Sequence, residues 1–141
     1  MDCARIAIVD DDEAVRDATG QLLQSLGFQA STFESAAEFL KSEAIQATSC
    51  LITDLHMPGL SGLDLQDQII ARGHRIPIIF ITAYSNEHAR TRALKAGAVG
   101  FLSKPYNPEH LLDCLRPHHL FQELIRQSVS SVTDSSLSLL G

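Results

Sequence analysis

Residues 10–12 read Asp-Asp-Asp and close the apolar run IAIV (6–9), while Asp54, in LITDLHMPG, closes another such run. Like charges gathered at the end of a buried strand repel unless a cation sits among them. Two or three carboxylates with open positions suit Mg²⁺, a hard octahedral cation that keeps several waters and shares its shell with phosphate oxygens. Two more polar side chains end apolar runs: Thr82, followed by Ala83, in FITAY, and Lys104, in FLSKPY. If the strands that carry these residues are neighbours in a parallel sheet, three carboxylates, a hydroxyl and an ammonium meet at one edge. A divalent cation beside a carboxylate, with an ammonium opposite, meets the needs of phosphoryl transfer to that carboxylate, which are charge neutralisation and in-line positioning. The nucleophile is then the carboxylate whose approach is open.

The elements that must position these groups are legible as alternating patterns. Five apolar runs read as strands: RIAIV (5–9), FQASTF (28–33), CLIT (50–53), IPIIFIT (76–82) and AVGFL (98–102). Between them apolar residues recur at helical spacing, as at Val15, Ala18, Leu22 and Leu26, or Leu65, Ile69 and Ile70. Ser35 with Glu38 predicts a capping box, and Asn107 before Pro108 predicts an N-cap followed by the first helical residue. Gly27, Gly73 and Gly97 each follow a helical pattern and precede a strand, where a left-handed residue is wanted. The pattern is (βα)5, an α/β fold with a mostly parallel sheet covered by helices on both faces. The runs 6–9 and 77–81 are almost continuously apolar, as buried central strands are, whereas FQASTF alternates and suits an edge.

Bulk composition narrows the function classes. A length of 141 residues predicts one domain. No apolar run approaches the ~20 residues of a membrane span, and the N-terminus lacks the ~7–15-residue apolar core of a secretory signal. The expected location is therefore the cytoplasm, with no membrane partner. A net charge of −6 argues against direct nucleic acid binding by this domain. Cys3, Cys50 and Cys114 show no C-x-x-C spacing and read as reduced packing residues, and the six histidines show no zinc spacing. After PEHLLDCLR (108–116), Pro117 should stop or kink the last helix. Residues 117–141 are expected to form a divergent tail, a short helix over 118–127 and then a Ser-rich segment, with no output domain.

Four motifs in one order, IVDDDEAVR, TDLHMPGLSG, ITAYS and KAGAVGFLSKPY, resemble the receiver domains of two-component response regulators, most closely those of the FixJ type. The resemblance covers roughly residues 4–116 and puts the receiver domain at 1–116. It implies a flavodoxin- or CheY-like doubly wound fold whose five-stranded parallel sheet has the order 2-1-3-4-5. It implies that Asp54 is phosphorylated by a sensor histidine kinase, and that Asp10, Asp11, Asp54 and the backbone carbonyl of His56 hold Mg²⁺. Asp12 is left as a spare carboxylate. Lys104, Thr82 and Ala83 become the phosphoryl-binding set, Thr82 and Phe101 the switch pair, and the Lys104-Pro105 bond cis. The family places the response on the face of the fourth helix, fifth strand and fifth helix of the pattern, here beginning at about residues 86–104, which is the expected surface for a partner or a homodimer. His56 and Tyr84 flank the path of the attacking water and are expected to lengthen the life of the acyl phosphate. The expected chemistry stops at self-phosphorylation and slow self-dephosphorylation, so the chain is not read as an enzyme.

Two other readings compete. A hydrolase of the haloacid-dehalogenase type also forms an aspartyl phosphate, but needs Thr or Val where this chain has Ala14 and has no room here for a cap domain. A receiver-like module that signals without phosphorylation would have lost an aspartate or the lysine, and all are present.

Overall fold

The computed structural model describes residues 5–84 and 86–116. Five strands, β1 (Arg5–Val9), β2 (Gln29–Phe33), β3 (Cys50–Asp54), β4 (Ile78–Thr82) and β5 (Gly100–Ser103), form one all-parallel sheet in the order β2-β1-β3-β4-β5. The helices are α1 (Glu13–Ser25), α2 (Ala36–Lys41), α3 (Ala44–Ala47), α4 (Gly62–Ala71), α5 (Glu87–Lys95) and α6 (Pro108–Leu115). This is the doubly wound architecture that the alternating pattern predicts. Every residue of β3 and β4 is buried, whereas β2, at the edge, buries only Phe33 fully.

Successive side chains on a strand face opposite ways, so the sheet builds two cores. On one face Val9, Leu51 and Phe80 pack with Phe33, Phe39, Leu65 and Ile69; on the other Ile8, Ile52 and Ile81 pack with Leu23, Leu111 and Leu115. Helices α1 and α6 thus cover one face, and α2, α4 and α5 the other.

Local signals account for most element ends. Gly27, Gly73 and Gly97 all adopt positive φ after their helices, and Asn107 caps α6 with Pro108 in its first turn. Helix α6 stops at Leu115, and Arg116 is extended, as a residue before proline should be. The expected capping box at Ser35 forms only its first half, Ser35 Oγ accepting from the Glu38 N–H. A reciprocal box forms instead at Ser61 and Asp64.

Two features depart from the sequence reading. One helix was expected between β2 and β3, but the chain makes two short ones, because the Ser42 hydroxyl and N–H both take the Phe39 carbonyl and end α2. Helix α1 is also turned by about one residue from its apolar stripe. Its buried residues are Arg16, Thr19, Gly20 and Leu23, while Ala18 and Leu26 are exposed and Val15 and Leu22 half-buried. The tail expected at 117–141 and Cys3 lie outside the described residues.

Candidate functional site

Parallel order places the carboxyl ends of β1, β3, β4 and β5 side by side, and the turns that follow carry the polar residues. Asp10 follows β1, Asp54 ends β3, Thr82 ends β4, and Lys104 follows β5. The register aligns Asp54 with Ile81, and Thr82 with Ser103. The Lys104 N–H donates to the Thr82 carbonyl at 2.7 Å, which extends the ladder to the residue carrying the ammonium. The Lys104-Pro105 bond is cis, as expected.

The carboxylates meet around this ammonium. Lys104 Nζ lies 3.0 Å from both Asp10 Oδ2 and Asp54 Oδ2. The remaining oxygens are also held: Asp10 Oδ1 accepts from the Asp12 N–H at 2.9 Å, and Asp54 Oδ1 from the His56 N–H at 3.2 Å. Asp10, Asp11 and Asp54 each offer a carboxylate oxygen, all within 4.8 Å of one another; Asp10 and Asp54 are buried and Asp11 exposed. Burial pushes the Asp10 carboxyl above its ordinary pKa, against the pull of the Asp12 N–H and of Lys104. Burial works the other way on Lys104, but its hydrogen bonds to Asp54 and Asp10 outweigh that and hold the ammonium above its usual range. An all-oxygen donor set with an exposed side and unbalanced negative charge fits a hard cation such as Mg²⁺.

The other expected residues surround this centre. Thr82 is fully buried, and its hydroxyl is engaged with the Tyr84 backbone, donating to the carbonyl at 3.2 Å and accepting from the N–H at 3.1 Å. Ala83 beside it is exposed. Phe101 is half-buried, its ring 6.0 Å from that of Phe80. The exposed rings of His56 and Tyr84 meet edge-on, centroids 6.2 Å apart. Asp12, left spare by the sequence reading, stands outside the cluster of Asp10, Asp11 and Asp54, and its side chain caps α1, accepting from the N–H groups of Ala14 and Val15.

Three contributors escaped sequence reasoning. Gly62 opens α4 against β3, where a Cβ would collide with the Asp54 carbonyl oxygen and come within 3.0 Å of Leu55 Cα. Arg16 donates from Nη1 to the Asp10 carbonyl at 2.8 Å. Thr19 shares a 2.6 Å hydrogen bond with the Tyr106 hydroxyl, tying α1 to the turn after Lys104. Beside that tie, Ala14, Val15, Ala18 and Leu22 of α1 face Pro105 and Tyr106 across an apolar groove that reaches Lys104.

Comparison with known proteins agrees with this geometry. The family model "Response regulator receiver domain" matches residues 6–116. The "Response regulator protein TmoT" of Ectopseudomonas mendocina is 43% identical over 111 residues, which are 79% of this chain and 50% of that protein. The "Transcriptional regulatory protein FixJ" of Azorhizobium caulinodans is 35% identical over 111 residues, 79% of this chain and 53% of its own length. The chain thus spans about half the length of these curated relatives. Among solved structures, response regulator StyR superposes with a TM-score of 0.79 at 37% identity, covering 99% of this chain and 70% of that one. The structure named FixJ-N gives 0.74 at 31% identity, covering 85% of this chain and 94% of that one.

Proposed function

The chain belongs to the response regulator receiver domain family of two-component systems, and from that premise we propose that Asp54 accepts a phosphoryl group from a phosphohistidine on a sensor histidine kinase. The observation that carries the proposal is the single ammonium of Lys104, 3.0 Å from both Asp10 and Asp54, beside a third carboxylate on the solvent side. Asp10, Asp11 and Asp54, with the His56 backbone carbonyl, would hold Mg²⁺, which when bound supplies positive charge to the phosphoryl oxygens.

In the reaction an Asp54 carboxylate oxygen attacks phosphorus while the P–N bond to the donor imidazole breaks and the ring nitrogen keeps the electron pair. Lys104 exchanges one carboxylate partner for a phosphoryl oxygen, so the ammonium remains paired through the step. Thr82 leaves the Tyr84 backbone to donate to another phosphoryl oxygen, and Ala83 beside it is too small to obstruct the group. As Thr82 moves, Phe101 turns inward, and the population shifts toward a second conformation of the surface made by α5, β5 and α6. That surface, where Arg90 and Lys95 are exposed, serves a partner or a homodimer. The rings of His56 and Tyr84 stand over the acyl phosphate and slow its hydrolysis. The chain therefore acts as a phosphoacceptor, not as an enzyme with an external substrate.

The apolar groove between α1 and Pro105-Tyr106 is continuous with Lys104, so a kinase surface seated there would bring its phosphohistidine to Asp54. Among the described residues no helix is long and apolar enough to cross a membrane.

The test is incubation of the 141-residue chain with a small phosphodonor and MgCl₂, followed by intact mass. One phosphoryl adduct that requires Mg²⁺ and is absent from Asp54→Asn is the expected result. An adduct of equal yield in Asp54→Asn would remove the proposal, and its absence under every condition would favour signalling without phosphorylation.

A further inference from the structure

We propose that Arg16 is a positioning residue for the acidic site, its guanidinium fixing the Asp10 backbone and thereby setting the affinity for Mg²⁺. The inference rests on the reading of Asp10, Asp11 and Asp54 as the cation's ligands.

Arginine is rarely buried without a partner of opposite charge. Arg16 is only 9% exposed, yet the carboxylate it pairs with among the described residues, Glu34, stands 3.9 Å away with a side chain 76% exposed, a separation and a setting in which an ion pair is weak. The short contact is to a neutral group, the Asp10 carbonyl, at 2.8 Å. An aliphatic residue would fill the same space against the sheet without the desolvation cost. The guanidinium therefore earns its place through the carbonyl it holds.

That carbonyl completes a set. The Asp10 N–H donates to the Phe33 carbonyl at 3.1 Å, at the end of β2, and Asp10 Oδ1 accepts from the Asp12 N–H. With Arg16 on the carbonyl, the backbone of Asp10 is held by β2 on one side and α1 on the other. Its carboxylate then stands beside those of Asp11 and Asp54 before any cation arrives. Without the guanidinium a buried carbonyl is left unsatisfied and the turn shifts to find a donor. Partners that orient the ligands of a metal commonly alter its affinity by about 10–100-fold when removed.

Charge and position predict opposite outcomes. A cation near three carboxylates competes with Mg²⁺, so if Arg16 acted through charge alone its removal would tighten binding. Positioning predicts weaker binding, with partial rescue by lysine, which keeps the charge and one donor.

The experiment titrates MgCl₂ into the 141-residue chain and follows the backbone amide resonances of Asp10, Asp11 and Asp12. Arg16→Met is expected to weaken Mg²⁺ by about tenfold, and Arg16→Lys by less. Without Mg²⁺, the Asp12 amide should exchange its hydrogen faster in Arg16→Met. Arg72→Met is the control, since Arg72 Nη1 makes the same kind of bond, to the Leu40 carbonyl at 3.0 Å, and ties α4 to α2. It should lower the melting temperature and leave Mg²⁺ affinity unchanged. Unaltered or tighter Mg²⁺ binding in Arg16→Met, or equal weakening in Arg72→Met, overturns the proposal. If Arg16→Met does not fold, Arg16→Lys decides: wild-type affinity and Asp12 exchange in that variant overturn it. Failure of the underlying ligand reading looks different, because wild type would then give no Mg²⁺-dependent shifts, or shifts that survive Asp11→Asn.

Discussion

Replacing Lys104 by methionine removes the charge that holds two buried carboxylates together while keeping much of the side chain's length. At an effective dielectric constant of about 20, an ammonium 3.0 Å from a carboxylate is attracted by about 5 kcal/mol. Two carboxylate oxygens at the 4.8 Å limit of the cluster repel by about 3 kcal/mol. The attraction wins in the native chain, and Lys104→Met leaves only the repulsion. Desolvation of the ammonium offsets part of the loss, so the net cost sits near or below the lower end of that for a broken buried pair. We expect about 2–3 kcal/mol at pH 7.5 without divalent cations, or roughly 10 °C in melting temperature for a domain of this size.

The pH dependence follows from Asp10. Its carboxyl is already raised by burial, and Lys104 is one of the groups that pull it down. Without Lys104 it rises further. A raised carboxyl contributes stability that is fully present below its unfolded pKa of about 4 and is lost as pH rises through the folded value. The deficit of Lys104→Met should therefore narrow as pH falls through that value. The ammonium itself, raised by Asp54 and Asp10, stabilises wild type below about pH 10.5 and ceases to do so above its folded pKa, a loss the variant cannot show. MgCl₂ at about 100 times a chain's dissociation constant should stabilise that chain by about 2.7 kcal/mol, and the deficit should narrow because the variant, lacking the competing ammonium, binds Mg²⁺ more tightly than wild type. Thermal melts at several pH values, with and without MgCl₂, make the measurement. Equal melting temperatures at pH 7.5, or a deficit that neither acid nor Mg²⁺ reduces, would refute the reasoning.

Gly62→Ala should cost about 2–3 kcal/mol in denaturant unfolding, because its Cβ meets the Asp54 carbonyl and Leu55 Cα, backbone that cannot turn aside; a midpoint equal to wild type would contradict this. Val15→Asp, in the apolar groove, should reduce phosphotransfer from a cognate kinase at least tenfold and leave the rate with a small phosphodonor within about twofold, since each 1.4 kcal/mol of lost docking is one factor of ten. His56→Ala and Tyr84→Ala should each shorten the lifetime of the phosphorylated chain several-fold, followed by intact mass over time; unchanged lifetimes in both would end the shielding argument.

How far the sequence speaks depends on whether a feature is set locally. Strands β3 and β4 are buried on both faces, so continuous apolar runs announce them whatever packs above. The glycines after α1, α4 and α5 are demanded by their own backbone angles. The acidic centre was legible because each polar residue ends or directly follows an apolar run, and a parallel sheet must bring such ends together. What was hidden depends on contacts between distant segments. The stripe Val15, Ala18, Leu22 looked like the buried face of α1, but Arg16 takes that place because the Asp10 carbonyl needs a donor there, and the stripe is left lining a groove. Asp12 read only as a spare carboxylate, and its role as the cap of α1 shows only in the structure. Gly62 carries no φ requirement and is explained only by the approach of β3.

The central claim is that one carboxylate among four, Asp54 and not Asp10, Asp11 or Asp12, takes the phosphoryl group. Borohydride reduces an acyl phosphate to an alcohol, so the chain can be phosphorylated with a small donor and MgCl₂, reduced, digested and sequenced by mass. Homoserine at position 54, with aspartate intact at 10, 11 and 12, is the predicted result. Homoserine at any of positions 10–12, with aspartate intact at 54, would contradict it.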